Sequence, residues 1–513
     1  MPAEYDTPPH GFRTFVIIWA SQSVSVLGTA LTYFAIVIWL TQTLYPLPQQ
    51  KPELAFALTV ESIAITVPMV FGAPFAGAWA DRHARRRTMI AMNAASGVCS
   101  LALAVLLATR TLNLWLLLPI VFVSGLSGAY HSASFDTSYA MLVPAEKLPR
   151  ANGMMQAIFS LSGILSPAIA ATLISLPDLA RQGLVPGAAG AALRPLRDGT
   201  ALATAIDALT FFAAAVVLLA VRVPSPHRAD RAADGTLRTS MWADVREGAV
   251  FIWHRRPLLW LLGTFTLANF AGTPAQLFQP LLLKYNLAPD WSAHHYTFAE
   301  ALALLGLVSG LGGLLGGVLV SAWGGLKRRR VLGVLIPMAI EGAALVVFGL
   351  SSLLYVAAAM LFINTAMGPL LNAHSQAIWQ ARTPRELQGR VFAVRRVIAW
   401  CVIPLSTALA GWAAAFLNPG LVLAALGGVL CLFCMAQLFN PYLRRVDDHA
   451  YSRGARRARQ GRPRRELTYG KRAPRAPRVC EKSALPVGPA DFSQTLQGRH
   501  ALRRDVSSYA IAS

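Results

Sequence analysis

Five carboxylates stand inside or at the ends of long apolar runs of this 513-residue chain: Glu61, Asp136, Asp207, Glu300 and Glu341. An ionisable side chain at bilayer depth is rare and costly, and is tied to function by default. The chemistry open to it is proton carriage. Burial disfavours the charged form of a carboxyl, so a group that protonates from one side and releases to the other can couple a proton gradient to a second movement. Asp207, in the outer half of the sixth run, is the first choice. Glu61, in the outer half of the second, and Glu341, near the middle of the ninth, follow it. Asp136 ends the fourth run, where it can pair with basic residues, and Glu300 is close enough to the surface to be hydrated. A carboxylate hydrogen-bonded to a neighbouring helix for packing is the competing role for each.

Other chemistry is poorly provided for. His131 and His374 have side chains that titrate in the physiological range, but packed, hydrogen-bonded imidazoles fit their positions better. Cys431 and Cys434 have CxxC spacing inside an apolar run with no second pair, and read as packing residues. There is no His/Cys cluster with metal-ligand spacing and no Gly-x4-Gly-Lys-Ser/Thr phosphate loop, so neither a metal cofactor nor ATP-driven transport is expected. The expected energy source is a proton gradient.

A second constellation is the stretch Gly72-Ala73-Pro74-Phe75-Ala76-Gly77-Ala78-Trp79-Ala80-Asp81-Arg82-His83-Ala84-Arg85-Arg86-Arg87. So much charge between two apolar runs must sit at a membrane interface. Gly72 and Gly77 suit close approach of a neighbouring helix. Asp81, beside four arginines, needs a partner or a helix N-terminus.

Twelve spans must position these groups. Their expected bounds are 14–40, 55–80, 88–109, 113–140, 152–176, 200–222, 257–283, 297–323, 330–350, 352–378, 391–416 and 419–440, each long enough for a hydrocarbon core of about 30 Å. The chain is 55% hydrophobic and only 14% charged. Its net charge of +22 is no sign of nucleic acid: 17 of the 46 Lys and Arg follow Phe439, with six acids, and the rest lie in loops. Loops after even-numbered spans hold 22 basic residues and those after odd-numbered spans six, which places the even side and both termini in the cytoplasm. The expected organisation is an N-terminal segment 1–12, six spans over 13–222, a middle loop 223–256 with an interfacial helix, six spans over 257–440, and a basic, disordered tail 441–513. The interfacial helix is read from Met241, Trp242, Val245, Ala249, Ile252 and Trp253 at helical spacing. The halves echo one another: Gly316–Arg330 ends span 8 as Gly72–Arg87 ends span 2, without the aspartate. Glu146-Lys147-Leu148 matches Arg385-Glu386-Leu387, and Pro167 and Pro404 interrupt spans 5 and 11 at similar depth.

Gly77, Asp81-Arg82 and Arg85-Arg86 resemble the signature loop between helices 2 and 3 of the major facilitator superfamily, with Ala84 where the family has glycine. Phe15–Thr29, Leu148–Gly153, Ala205–Phe211, Val245–Gly248 and Gly389–Phe392, in that order, resemble the branch of macrolide-efflux proteins and the enterobactin exporter. The resemblance covers about residues 12–440. It implies an all-α membrane protein of two pseudo-symmetric six-helix bundles that rock around a central site. It also implies a conformational switch in which Asp81 engages the start of span 11, where Arg390, Arg395 and Arg396 stand. The cavity would be lined by spans 1, 4, 7 and 10, which offer Gln22, Tyr33, Tyr130, Asn269, Gln276, Asn364 and Asn372. Aromatic surface with uncharged amides suits a bulky amphiphile. The expected activity is proton-driven export of a drug-, macrolide- or siderophore-like compound by a monomer in the cell membrane, with partners limited to that small molecule and the lipid bilayer. It is not expected to be an enzyme. An importer or lipid flippase of the same fold, or a membrane sensor that does not transport, are the alternatives.

Overall fold

Inside lipid, a helix satisfies every backbone polar group within one segment. The computed structural model describes residues 10–80, 82–144, 147–223, 241–326, 328–384, 387–444 and 446, and among them there are helices and turns but no strand. The chain divides into two units, Met1–Gly454 and Ala455–Ser513, and every described residue belongs to the first. Asp81, Glu146, Lys327, Arg385, Glu386, the loop 224–240 and the tail from 447 lie outside the described residues.

The first half comprises α1 (Gly11–Ile38, prolonged as a π-helical turn over Trp39–Leu44), α2 (Lys51–Ala80), α3 (Arg85–Ala108), α4 (Leu114–Leu142), α5 (Leu148–Arg181), the short α6 (Gly187–Leu193) and α7 (Thr200–Ala220). Then comes α8 (Met241–Trp253). The second half comprises α9 (Arg256–Gly272), α10 (Pro274–Tyr285), the short α11 (Ala288–Ala293), α12 (Phe298–Trp323), α13 (Leu332–Leu350), α14 (Leu354–Arg382), α15 (Gln388–Trp400), α16 (Val402–Phe416), α17 (Pro419–Gln437) and α18 (Pro441–Arg444). Among the described residues, eleven helical stretches are long and apolar enough to cross a membrane. The expected seventh span is present as α9 followed by α10, which accords with twelve crossings. This is the architecture of a multi-pass membrane protein.

Local chemistry sets the ends and breaks. Asn113 Oδ1 accepts from Leu116 N at 3.0 Å and starts α4, and Asn418 Oδ1 accepts from Gly420 N at 2.8 Å and starts α17. Pro274 has no N–H to give the carbonyl four residues back. That carbonyl, on Phe270, accepts instead from Ser406 Oγ of α16. Pro404 likewise leaves the Trp400 carbonyl without its helical donor, and span 11 breaks at Cys401 between α15 and α16. The parallel expected in span 5 does not hold: α5 runs unbroken through Pro167.

The first six crossings pack through α2–α4, α3–α7, α1–α7 and α3–α4, and the last six through α13–α17, α12–α14 and α13–α14. The halves meet along two seams, α5 against α12 and α2 against α16. Both seams approach over small residues. A methyl at Gly310 would lie 2.7 Å from the Gly163 carbonyl carbon, one at Gly306 would lie 2.7 Å from the Pro167 ring, and Gly411 rests directly on Thr59. α8 packs on α15 and α9; of the expected stripe, Ile252 is buried, Ala249 half-buried and Trp253 72% exposed, with Phe251 buried beside it. The side chains of Met241–Val245 lie outside the described residues.

Candidate functional site

Asp207 is 1% exposed in the interior of the first half. α1 and α3 bring hydroxyls to it: Thr32 Oγ1 donates to its Oδ2 at 2.8 Å and Ser100 Oγ to the same oxygen at 2.7 Å. Gly28 lies one turn before Thr32 on the same face of α1, and a methyl there would sit 2.6 Å from Oδ1. Oδ1 itself has no hydrogen-bond partner among the described residues. The group therefore does two things at once. One oxygen ties three helices together, and the other is left unsatisfied in the interior, at a cost of about 1–3 kcal/mol.

The other carboxylates separate by surroundings. Glu61 is 3% exposed on α2 and makes no hydrogen bond or ion pair among the described residues. Its charge acts on the phenol of Tyr33, which is itself half exposed on α1. Asp136 is exposed on α4, and the charge that acts on it is Arg396 of α15, across the boundary between the halves. Glu300 caps its own helix: its Oε2 accepts from Thr297 N at 2.7 Å while Thr297 Oγ1 accepts from Glu300 N at 3.2 Å. His374 is buried and doubly bonded, accepting from Leu326 N at 2.8 Å on Nε2 and bonding the Leu370 carbonyl at 2.7 Å through Nδ1. His131 stacks on Phe135, with no partner for Nε2 among the described residues.

Glu341 lines a cavity of about 340 Å³ in the second half. Asn269 of α9, Asn372 and Gln376 of α14, and Arg395 and Trp400 of α15 share its wall. Arg395 donates to Gln376 Oε1 at 2.9 Å and to Ser375 Oγ at 3.1 Å, and its guanidinium lies 5.1 Å from the Trp379 ring centroid. Of the expected lining, Asn269 and Asn372 are in this wall. Asn364 stands behind it, donating to the Glu341 backbone carbonyl at 3.3 Å. Gln276 is exposed on α10 and apart from the cavity. Tyr130 sets its ring edge-on to Trp79 at 5.9 Å. Gln22 is 7% exposed, and Asn93 of α3 donates to it at 3.4 Å.

Arg85 and Arg86 of the expected switch bond backbone carbonyls of the first half. Arg85 Nη1 donates to the Thr137 carbonyl of α4 at 3.0 Å, and Arg86 Nε to the Leu218 carbonyl of α7 at 2.8 Å, with Nη2 on Leu219. The last carbonyls of a helix lack intrahelical donors and carry the negative end of its dipole, so Arg86 caps α7, whereas Arg85 ties α3 to α4 at a carbonyl that lies before the last turn of that helix. Arg82 is exposed. Gly77 has nothing within 4 Å of where a methyl would stand, which corrects the expected close approach there, whereas Gly72 does face Leu126. Arg390 pairs with Glu247 of α8.

At the arginine-poor end two lysines tie the halves together. Lys284, closing α10, donates to the carbonyls of Thr41 at 2.6 Å and Tyr45 at 2.5 Å, at the π-helical end of span 1. Lys51, opening α2, donates to the Leu417 carbonyl just past α16 at 2.6 Å. Each half thus places an ammonium on the carbonyl end of a helix of the other. The available sequence signal was composition: the chain has 40 arginines and six lysines, and two of those six stand here.

A family model described as Major Facilitator Superfamily matches residues 18–406. Macrolide efflux protein A of Streptococcus pyogenes is 25% identical over 399 residues, covering 77% of this chain and 88% of that protein. Multidrug efflux pump Tap of Mycolicibacterium fortuitum is 22% identical over 399 residues, covering 77% and 89%. Among solved structures, an inward-facing, unoccupied bacterial homologue of the human lysosomal transporter Spinster superposes with a TM-score of 0.55 at 18% identity, over 86% of this chain and 94% of that one; at that identity the likeness speaks for the fold alone.

Proposed function

The chain belongs to the Major Facilitator Superfamily, and we propose that this transporter exports a small amphiphilic compound of the drug, macrolide or siderophore kind across the cell membrane by proton antiport. The efflux relatives support the direction and the substrate class. The observation that carries proton coupling is Asp207, a buried carboxyl with one oxygen bonded twice and the other unpartnered. A group so placed can take up and release a proton, and its hydroxyl partners on two other helices link that change to how the first half packs. Glu61 and Glu341 are the further carboxyls open to the same role. The arginine-rich end and both termini face the cytoplasm. With the arginine-poor end tied by Lys284 and Lys51, substrate enters from the arginine-rich side, and the halves then turn about the two seams. A few kcal/mol of differential binding is enough to move such a balance.

The test is export of a panel of fluorescent dyes, macrolides and siderophores from cells carrying the wild type or Asp207→Asn, with and without a protonophore. Loss of export in both the mutant and the uncoupled cells is the expected result. Export that survives the protonophore overturns proton coupling.

A further inference from the structure

The charges around the 340 Å³ cavity are unequally satisfied. Arg395 spends its guanidinium on Gln376, Ser375 and the Trp379 face. Arg396 lies 5.8 Å from the Trp400 ring centroid and faces the charge of Asp136. Glu341 has no such provision. Its carboxylate makes no hydrogen bond or ion pair among the described residues, and no ion pair joins it to either arginine. Glu341 is half-buried at the cavity wall, and a partly buried carboxylate without a partner is costly, so what the cavity still lacks is a cation at Glu341.

The rest of the wall is consistent with that occupant. Phe265, Phe392 and Trp400 supply aromatic faces, which suit an apolar body and also attract a cation. Gln376 accepts from Arg395 through Oε1, which leaves its amide N–H groups as donors for an oxygen acceptor. We infer that the cavity binds a lipophilic monocation: a protonated amine on Glu341, an aromatic or alicyclic body against Phe392 and Trp400, and an oxygen acceptor toward Gln376 and Arg395. This deepens the exporter reading and rests on it for the passage of the ligand, but the binding itself can be measured without transport.

The experiment is equilibrium binding of dansylcadaverine, dansylamide and dansylglycine to the purified full-length protein in detergent, followed by dansyl fluorescence. The three probes share an aromatic sulfonyl body and differ in charge as cation, neutral and anion. The wild type is expected to bind dansylcadaverine at least tenfold more tightly than dansylamide. Glu341→Gln is expected to bring the two to within twofold of each other while leaving dansylamide affinity unchanged, and Glu341→Asp to keep at least part of the preference. Arg395→Gln should weaken both probes by a similar factor. Equal binding of the three probes, tighter binding of dansylglycine, no binding of any of them, or a cation preference that survives in Glu341→Gln would each overturn the assignment. Cation binding without export in cells keeps the site and overturns the exporter reading; export with no charge preference does the reverse.

Discussion

Lys284 Nζ lies 2.6 Å from the Thr41 carbonyl, joining the end of span 7 to the end of span 1 across the boundary between the two halves. A hydrogen bond from a charged group contributes about 1.5–3 kcal/mol, and every 1.4 kcal/mol is about tenfold in a population. Lys284→Met should therefore open the arginine-poor end at least tenfold more often. A cysteine at Thr41, a fully buried position, in a background with the native cysteines changed to serine, reports this by its maleimide labelling rate in membranes. Lys51→Met should add to the effect. A labelling rate unchanged by both substitutions would show that the lysines do not hold the end closed.

Asp207→Asn keeps a carbonyl oxygen for Thr32 and Ser100 and removes only the ability to charge. The folded protein should persist, with a melting temperature in detergent within a few degrees of wild type, while export falls at least tenfold. Thr32→Val with Ser100→Ala should do the opposite. It removes two bonds contributing about 1 kcal/mol each, so it lowers the melting temperature more than it lowers export per folded molecule.

Arg86→Ala takes the cap from the carbonyls of Leu218 and Leu219. The loss should be about 1–3 kcal/mol, seen as earlier thermal unfolding. Arg86→Lys should recover part of it as a point charge. If Arg86→Ala stops transport with thermal stability intact, the arginine belongs to the switch rather than to the cap.

Two glycines give a paired test of the seams. Gly310→Ala forces a methyl against the Gly163 backbone and should cost about 1–3 kcal/mol through overpacking. Gly77→Ala meets nothing within 4 Å, and as an open helix position should be neutral or gain up to about 1 kcal/mol. Thermal unfolding of the two variants side by side decides it; equal effects would sink the account of the seam.

Much of the architecture was readable because its determinants are local. Apolar runs of membrane length give the crossings. Glu300 was readable as a surface group because it stands at the end of its apolar run; its capping of Thr297 came only with the fold. Facing was not readable. In lipid a leucine is equally content outward or inward, so α2 or α4 carries little apolar asymmetry to show which side meets a neighbour. That is why the contact of Gln22 with Asn93 was not foreseen, and why Arg85 and Arg86, read as a switch, were not foreseen on carbonyls more than 50 residues away in sequence. The break in span 7 was marked by Pro274, but its repair by the Ser406 hydroxyl depends on a partner that only the fold brings close.

The seams at Gly163–Gly310, Gly306–Pro167 and Thr59–Gly411 have one mechanical meaning. Where large side chains interlock, turning one helix on another means withdrawing each knob from its hole and passing through a strained, half-disengaged arrangement. Here a glycine lies on backbone at Gly163 and on a small side chain at Pro167 and Thr59, so each contact suits a plain bearing rather than a pair of gears. Resistance to rocking is then concentrated in the lysine ties at one rim, and the turning rate is set where the ties are rather than along the length of the axle.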